Sequence, residues 1–199
     1  MPSLRLLSVD AHDHAHDHAD VPRRIAAAEA DVACVHGAPH LLRWRSGVAR
    51  LARLSGLVVA AGGRPAGANV VLSTLGVDLV AGRELGFTGA AGLHPPGAAL
   101  AALRRLDASF VVVGATLVGN AAVRVGQARE LQAAIDSLVP DDLPSVLSVQ
   151  GVDRPGTAAW EALLAGRVGV AGRLFVDRRI AVAEPVEQSD GAVVVELTI

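Results

Sequence analysis

The 199-residue sequence contains no lysine and no tyrosine, and it contains a single cysteine, Cys34. One cysteine excludes a disulfide within the chain, and its place in the apolar run Val32–Val35 indicates a small buried side chain rather than a nucleophile. No apolar run approaches the ~18–20 residues of a membrane-spanning helix, and no secretion signal opens the sequence. We therefore expect a cytoplasmic protein with no membrane partner.

An excess of basic residues is absent as well. Every formally basic side chain is an arginine, and the net charge is −2. Tight non-specific binding to nucleic acid depends on neutralising several phosphates, so the sequence carries no strong nucleic-acid signal. What the sequence does contain is apolar residues, 51% of the total, mostly Ala, Val and Leu. This content argues against disorder and suffices for a sizeable core.

Short apolar segments recur along the whole chain, with helical segments between them. Strands are predicted at Leu4–Val9, Val32–Val35, Leu57–Ala60, Asn69–Ser73, Val77–Ala81, Phe110–Leu117, Pro144–Val149, Arg173–Val176, Ile180–Val182 and Ala192–Leu197. Helices are predicted at Arg23–Ala30, Pro39 to Leu54, Ala121–Leu138 and Ala158–Leu164. Because no linker or repeat divides these elements, we expect a single layered α/β domain over residues 1–199.

Several polar motifs follow these elements in a fixed order. The first strand ends in Asp10, and the second leads into His36-Gly37-Ala38-Pro39. The later motifs are Gly114-Ala115-Thr116-Leu117, Gln127–Leu131, Val149-Gln150-Gly151-Val152-Asp153, Arg154-Pro155-Gly156-Thr157 and Ser189-Asp190-Gly191. Together they resemble the endonuclease/exonuclease/phosphatase superfamily, which includes pancreatic-type deoxyribonucleases and sugar- and lipid-phosphatases. The resemblance covers nearly the whole chain.

The resemblance implies both a fold and a chemistry. The fold is a two-layered β-sandwich flanked by helices, an α-β-β-α sandwich, in which Ala98–Leu103 is a strand although its propensity alone favours a helix. The chemistry uses a divalent cation, usually magnesium, to polarise a phosphoryl oxygen, and a His oriented by an Asp to transfer a proton. The strand ends that bear Asp10, Val35, Thr116, Gln150 and Ser189 are expected to converge.

Most of the groups that this chemistry requires are replaced in the sequence. The substituted positions are Gly37 for the metal-binding Glu, Gln150 and Val152 for the Asp and Asn of Gly-Asp-Phe-Asn, and Thr116 and Gly191 for two histidines. Only Asp10, Gln150 and Asp190 keep polar character at the implied pocket. Loss of a general base alone removes about two to four decades of rate.

We therefore predict a catalytically degenerate member of the superfamily, a pseudo-hydrolase without a resident cofactor. Its role is expected to be that of a binding or scaffold domain, with an unknown protein or a small phosphorylated ligand as its partner. A purely structural module that binds a protein would instead show an exposed apolar patch of more than a few hundred Å².

A histidine-rich run supplies the remaining chemistry. His12, His14, His16 and His18 follow the first strand directly, and imidazole is a good ligand for zinc and nickel. One interpretation is a solvent-exposed loop with opportunistic metal affinity, since the spacing of structural zinc sites is absent. The alternative is a metal-dependent phosphoesterase or nuclease with a rebuilt site that combines the run with Asp10 and Asp190. Such a site would hold Mg or Mn in the remnant pocket, or Zn or Ni at the run. His36 is expected to be a hydrogen-bonded structural histidine.

Overall fold

The computed structural model describes residues 2–11, 20–39, 43–88, 96–139, 142–152, 154–187 and 192–199. The strands in these ranges are β1 (Ser3–Asp10), β2 (Val32–His36), β3 (Val58–Gly63), β4 (Asn69–Ser73), β5 (Asp78–Gly86), β6 (Gly97–Arg105), β7 (Ala108–Thr116), β8 (Ser145–Gln150), β9 (Arg167–Val170), β10 (Leu174–Asp177), β11 (Ala181–Val182), β12 (Val186–Glu187) and β13 (Val193–Thr198). The helices are α1 (Asp20–Ala27), α2 (Trp44–Ser55), α3 (Ala121–Asp136) and α4 (Ala158–Leu164).

The strands form two sheets. Sheet A has the order β11-β13-β1-β2-β4-β3, with β12 paired to β13, and sheet B has the order β5-β6-β7-β8-β10-β9. Each sheet is built around one parallel pair joined by a helix: β1 and β2 through α1, and β7 and β8 through α3. A parallel pair needs such a crossover, whereas the antiparallel neighbours need only turns.

Three apolar layers hold the sandwich together. Between the sheets, buried side chains such as Leu6 and Val71 of sheet A pack with Phe110 of sheet B. Outside sheet A, α1 and α2 cover a second layer that includes Ile25, and outside sheet B, α3 and α4 cover a third that includes Leu131. Because the central strands are buried on both faces, they are apolar at successive positions rather than alternating. The expected α-β-β-α sandwich is confirmed.

The largest differences from the sequence prediction lie in edge strands of sheet B. The strand predicted at Val77–Ala81 extends as β5 to Gly86, and β9 was not predicted at all. Most of β5 is exposed, so its sequence lacks the apolar alternation of a half-buried strand. Ala98–Leu103 lies within β6 and is a strand despite its helical propensity, because both of its faces are buried between apolar layers.

One further feature agrees with the sequence prediction. Cys34 is fully buried between the sheets, and this burial raises the pKa of its thiol to about 12, as is typical of a structural cysteine. Among the described residues, no helix has the length and apolar character needed to cross a membrane.

Candidate functional site

Five strand ends meet at one edge of the sandwich, which we call the upper edge. In the parallel pairs, Asp10 lies opposite His36 and Thr116 lies opposite Gln150. β4 is antiparallel to β2, so its first residue, Asn69, also lies at this edge. The implied convergence is thus observed for the strand ends that the structure describes, while Ser189 lies outside the described residues.

A chain of hydrogen bonds joins the two sheets just below the upper edge. Ser8 Oγ lies 2.7 Å from Ser148 Oγ, and Ser148 Oγ lies 2.7 Å from His36 Nε2. His36 Nδ1 lies 2.7 Å from Asn69 Oδ1, which also accepts a hydrogen bond from Thr116 Oγ1 at 3.0 Å. All members except Thr116 are fully buried. We call these five residues the polar network.

The amide of Asn69 determines the direction of every hydrogen bond in the polar network. Its Nδ2 donates to the backbone oxygens of Ala66 (2.8 Å) and Gly97 (3.0 Å), so Oδ1 faces His36 and can only accept. His36 Nδ1 must therefore carry the proton. In the neutral ring Nε2 then accepts from the Ser148 hydroxyl, which in turn accepts from Ser8. The polar network is satisfied without any formal charge.

Ser148, His36 and Asn69 have the order nucleophile, base and orienting group that activates a catalytic serine. Their burial rules out this role in the described conformation, because Ser148 and His36 are 0% exposed and no substrate atom can approach them. The polar network instead cross-links sheet A to sheet B, which agrees with the structural role expected for His36. Ser8, Asn69 and Ser148 were not identified from the sequence as members of a site. The signal that could have indicated them was a polar residue within an otherwise apolar, buried strand.

Gln150 and Asp10 are the polar side chains of the implied pocket that stay outside the polar network. Asp10 is half-buried at the end of β1. Gln150 is also half-buried, and its Nε2 is inaccessible to solvent and has no hydrogen-bond partner among the described residues. Gly37, in place of a metal-binding Glu, provides no side chain.

The loop after β8 is held close to the end of β7. Leu117 N donates to Gln150 O at 2.9 Å, and Gly151 follows with a φ of 73°. A Cβ at position 151 would lie 2.0 Å from Leu117 O, so only glycine fits there. The superfamily motif has Phe at this position, so this backbone arrangement cannot accommodate the motif's residue.

Solved structures with the same architecture are known. An endonuclease/exonuclease/phosphatase from Bacteroides vulgatus superposes with a TM-score of 0.76 at 12% identity over 100% of both chains. A mannosyl-6-phosphatase of Bacteroides thetaiotaomicron gives 0.77 at 11% identity over 98% of both chains. The human Nocturnin catalytic domain with bound sulfate gives 0.78 at 11% identity, over 99% of this chain and 93% of that one.

The chain has the endonuclease/exonuclease/phosphatase fold. No protein-family model and no curated protein sequence matches it. At identities this low, the similarity establishes the architecture of this fold, whereas the chemistry has to be argued from the site itself.

The described residues of this endonuclease/exonuclease/phosphatase fold do not fit a magnesium site. Mg²⁺ requires near-octahedral oxygen coordination. Apart from Asn69, whose amide belongs to the polar network, the described strand ends that meet at the upper edge carry one carboxylate, Asp10, and one amide, Gln150. The Thr116 hydroxyl is already engaged with Asn69. Within the described ranges there is no group of three or more His, Cys, Asp or Glu side chains that could hold a metal ion.

The remaining predicted site residues lie outside the described residues. These are Asp190 and the run His12, His14, His16 and His18. Their described neighbours, Ala11 and Ala192, lie at the upper edge: Ala11 N donates to His36 O at 2.8 Å, and Ala192 precedes the strand whose first residue lies opposite Ser8.

A second polar cluster lies at the opposite edge of the sandwich, the lower edge, around a cavity of about 370 Å³. Arg167, only 5% exposed, donates from Nε to Ser145 Oγ and from Nη1 to Gln132 Oε1, both at 2.9 Å. Burial lowers the pKa of Arg167, and the attraction of Asp177 partly offsets this effect. Arg179 Nη2 donates to Asp177 Oδ2 at 2.8 Å.

The interaction between Asp177 and Arg179 shifts the pKa of both side chains. Burial disfavours the charged form of Asp177, but hydrogen bonds from Arg179 and the nearby positive charges outweigh this effect, so the pKa of Asp177 is lowered. The hydrogen bond to Asp177 raises the pKa of Arg179. Sequence reasoning assigned no role to these residues. We interpret the cluster as structural, because each charge in it faces one of opposite sign.

Proposed function

We propose that this chain is a hydrolytically inactive member of the endonuclease/exonuclease/phosphatase superfamily that serves as a binding domain and works without a divalent cation. One observation carries the proposal. The buried histidine, asparagine and serines of the upper edge are bonded to one another, and the other described polar positions of the implied pocket, Asp10 and Gln150, supply one carboxylate and one amide, which is too few ligands for a divalent cation.

Of these two groups, the amide of Gln150 supports a small phosphorylated ligand as the partner, whereas the carboxylate of Asp10 would repel a phosphoryl group. A buried amide N–H without an acceptor costs free energy. The Nε2 of Gln150 is inaccessible in the described conformation, so a phosphoryl oxygen would satisfy it only after this half-buried side chain turns toward the ligand. A neutral donor can hold such an oxygen but does not neutralise the charge that develops during phosphoester cleavage. Groups that stabilise this charge contribute about two to three decades of rate each.

Hydrolysis assays test the proposal directly. Phosphomonoesters, including mannose 6-phosphate, phosphodiesters and single-stranded DNA are incubated with the full chain and Mg, Mn, Zn or Ni. We expect rates equal to those of the metal in buffer alone. Turnover that requires the protein, is abolished by Asp10→Ala and persists in Asp107→Ala would refute the proposal. Asp107 is a suitable control because it is exposed in the turn between β6 and β7.

A second candidate is the rebuilt metal-dependent phosphoesterase that uses Asp10, His12, His14, His16, His18 and Asp190. The position of Ala11 and Ala192 at the upper edge favours it, since the histidine run and Asp190 adjoin these residues in sequence. In the same assays this candidate predicts turnover with zinc or nickel that is lost when the four histidines are replaced by alanine. Turnover with magnesium that survives this replacement would exclude it.

A further inference from the structure

Exposed large apolar side chains are concentrated on one side of the sandwich, where β3 and β5 are the edge strands of the two sheets. Of the nine such side chains in the described ranges, six lie on or next to these strands: Leu54, Val58, Val59, Leu75, Leu79 and Val80. β3 and β5 pack against each other across the sandwich. Clustered exposure of this kind marks an interaction surface, whereas scattered single residues do not.

β5 presents an unpaired edge of nine residues among the described strands of sheet B. Proteins usually block such an edge with bulges or charges. β5 has both: the register shifts between Leu79 and Ala81, which makes Val80 a bulge residue, and Asp78, Arg83 and Glu84 are charged. Whether these charges prevent β5 from pairing with another strand depends on which residue of that strand each charge would lie opposite.

The pairing of β5 with β6 determines which face each charged side chain occupies, since residues opposite each other in an antiparallel pair share a face. Arg83 lies opposite Leu100, which faces the helices, and its Nη1 donates to Ser137 Oγ at the end of α3 (2.8 Å). Asp78 lies opposite Arg104, four residues along β6 from Leu100 and therefore on the same face. Its exposed carboxylate forms an ion pair with Arg104 Nη2 at 3.2 Å, so in a pairing of two β5 strands it would lie between this arginine and one from the other copy. Asp78 and Arg83 thus both project toward the helix layer.

Of the four positions between Asp78 and Arg83, the first and the last have the opposite orientation because of the bulge. Leu79 lies opposite Leu103 and Gly82 lies opposite Ala101, and both of these partners belong to the layer between the sheets. Along β5, the charges at 78 and 83 are therefore opposite in sign and share one face, while an exposed leucine and a glycine at 79 and 82 share the other.

We propose that β5 pairs antiparallel with β5 of a second copy of this chain around a two-fold axis, with Asp78 of each copy opposite Arg83 of the other. Leu79 of each copy then lies opposite Gly82 of the other, where no side chain obstructs it. In this register Val80 of each copy lies opposite Ala81 of the other, next to the two-fold axis. The pairing joins the two six-stranded sheets B into one.

The occupant is a second copy because the charge pattern of β5 is complementary to itself. A shift of one residue would place Asp78 opposite Glu84 of the other copy, two carboxylates, and would bring residues of opposite faces together. The exposed Val58 and Val59 of β3 flank the same edge and add apolar surface to the contact.

Sedimentation velocity of the full chain from about 1 to about 100 µM tests the pairing through a charge exchange. We expect a concentration-dependent dimer. Arg83→Asp and Asp78→Arg should each raise the dissociation constant at least about tenfold, because each places like charges opposite one another twice. The double variant Asp78→Arg/Arg83→Asp should restore the dimer. Arg129→Asp, which reverses an exposed arginine on α3, should leave it unchanged.

Three outcomes would overturn the pairing: a monomer throughout this concentration range, a dimer insensitive to both single variants, or a double variant that stays as weak as the singles. Circular dichroism of each variant separates loss of association from loss of folding. A second variant, Leu79→Lys, probes the apolar contact, with Val168→Lys on the opposite edge strand of sheet B as its control. A dimer weakened by Val168→Lys but not by Leu79→Lys would place the contact at β9 and would refute the assignment.

Discussion

The two edges of the sandwich connect the sheets in different ways. At the upper edge the connection is the polar network, whose hydrogen bonds can all form without a formal charge. At the lower edge it is ionic: Arg105 of β6 forms an ion pair with Asp31, which precedes β2 and accepts a hydrogen bond from Arg5 N at 2.9 Å. In these two connections the ion pair is partly exposed, whereas the polar groups that are completely buried are joined by hydrogen bonds.

Desolvation explains this division. Taking two charges out of water costs several kcal/mol per ion, which the attraction between them often fails to repay. Arg105 and Asp31 keep 28% and 24% of their side-chain surface exposed, so they avoid most of this cost. Ser148 and His36 are 0% exposed, and a neutral chain with every described donor and acceptor paired is the less costly way to place polar groups there.

The largest loss of stability at the upper edge is expected from a substitution of Asn69. Asn69→Ala removes the acceptor of His36 Nδ1 and of Thr116 Oγ1, and it removes the side-chain donor to Ala66 O and Gly97 O. We expect the free energy of unfolding to fall by about 3 to 5 kcal/mol. Urea unfolding followed by circular dichroism measures the change.

Asn120→Ala is the matched control for this substitution. Asn120 is exposed and uses the same side-chain oxygen to cap α3, accepting from Val123 N at 3.1 Å. Loss of a cap typically costs about 1 kcal/mol. If Asn69→Ala costs no more than Asn120→Ala, the polar network does not hold the sheets together.

Asn69 also shows how far the sequence allows prediction. The strand Asn69–Ser73 was predicted with its exact ends, because an apolar run after a glycine turn is a local signal. The role of Asn69 was not predicted, because its partners His36 and Thr116 are 33 and 47 residues away in sequence. Asn69 and these partners come together only because of the way the two sheets pack. No local pattern in a single sequence predicts that packing.

The candidate site, too, could be predicted from the sequence only in part. The convergence of Asp10, Thr116 and Gln150 was implied by the resemblance to the superfamily, and the structure places these strand ends at one edge. The commitment of His36 to the polar network instead of to a ligand depends on Ser148, 112 residues away, and was visible only in the structure. The length of β5 was missed for another reason: an exposed edge strand has no buried face to impose a period on its sequence.

The lower edge can be weakened by Asp177→Asn, which keeps the shape of the side chain and removes its charge. Asp177 accepts from Arg179 N and Nε, both at 2.9 Å, and from Nη2 at 2.8 Å. We expect a loss of about 1 to 2 kcal/mol at pH 7, because hydrogen bonds to charged groups are stronger than neutral ones but Arg179 is half-exposed. Urea unfolding at pH 7, 5, 4 and 3 measures it.

The pH dependence distinguishes a charge effect from a packing effect. The pKa of Asp177 is lowered in the folded protein, so its carboxylate contributes full stability above the unfolded pKa, about 3.9, and loses that contribution as the pH falls through the folded pKa. The difference between wild type and Asp177→Asn should therefore narrow toward pH 3. A difference that stays constant from pH 7 to pH 3 would show that the charge of Asp177 does not stabilise the lower edge.

The smallest effect is expected at the end of the polar network, from Ser8→Ala. If Ser8 donates to Ser148 and Ser148 donates to His36 Nε2, the substitution removes one donor and leaves no proton without an acceptor, so the cost should be about 1 kcal/mol. If Ser148 instead donates to Ser8, the substitution leaves the Ser148 proton without an acceptor, and the loss in the free energy of unfolding should be larger. Nitrogen-15 chemical shifts of His36 decide between the two: a protonated Nδ1 with an unprotonated Nε2 supports the neutral chain, and a protonated Nε2 contradicts it.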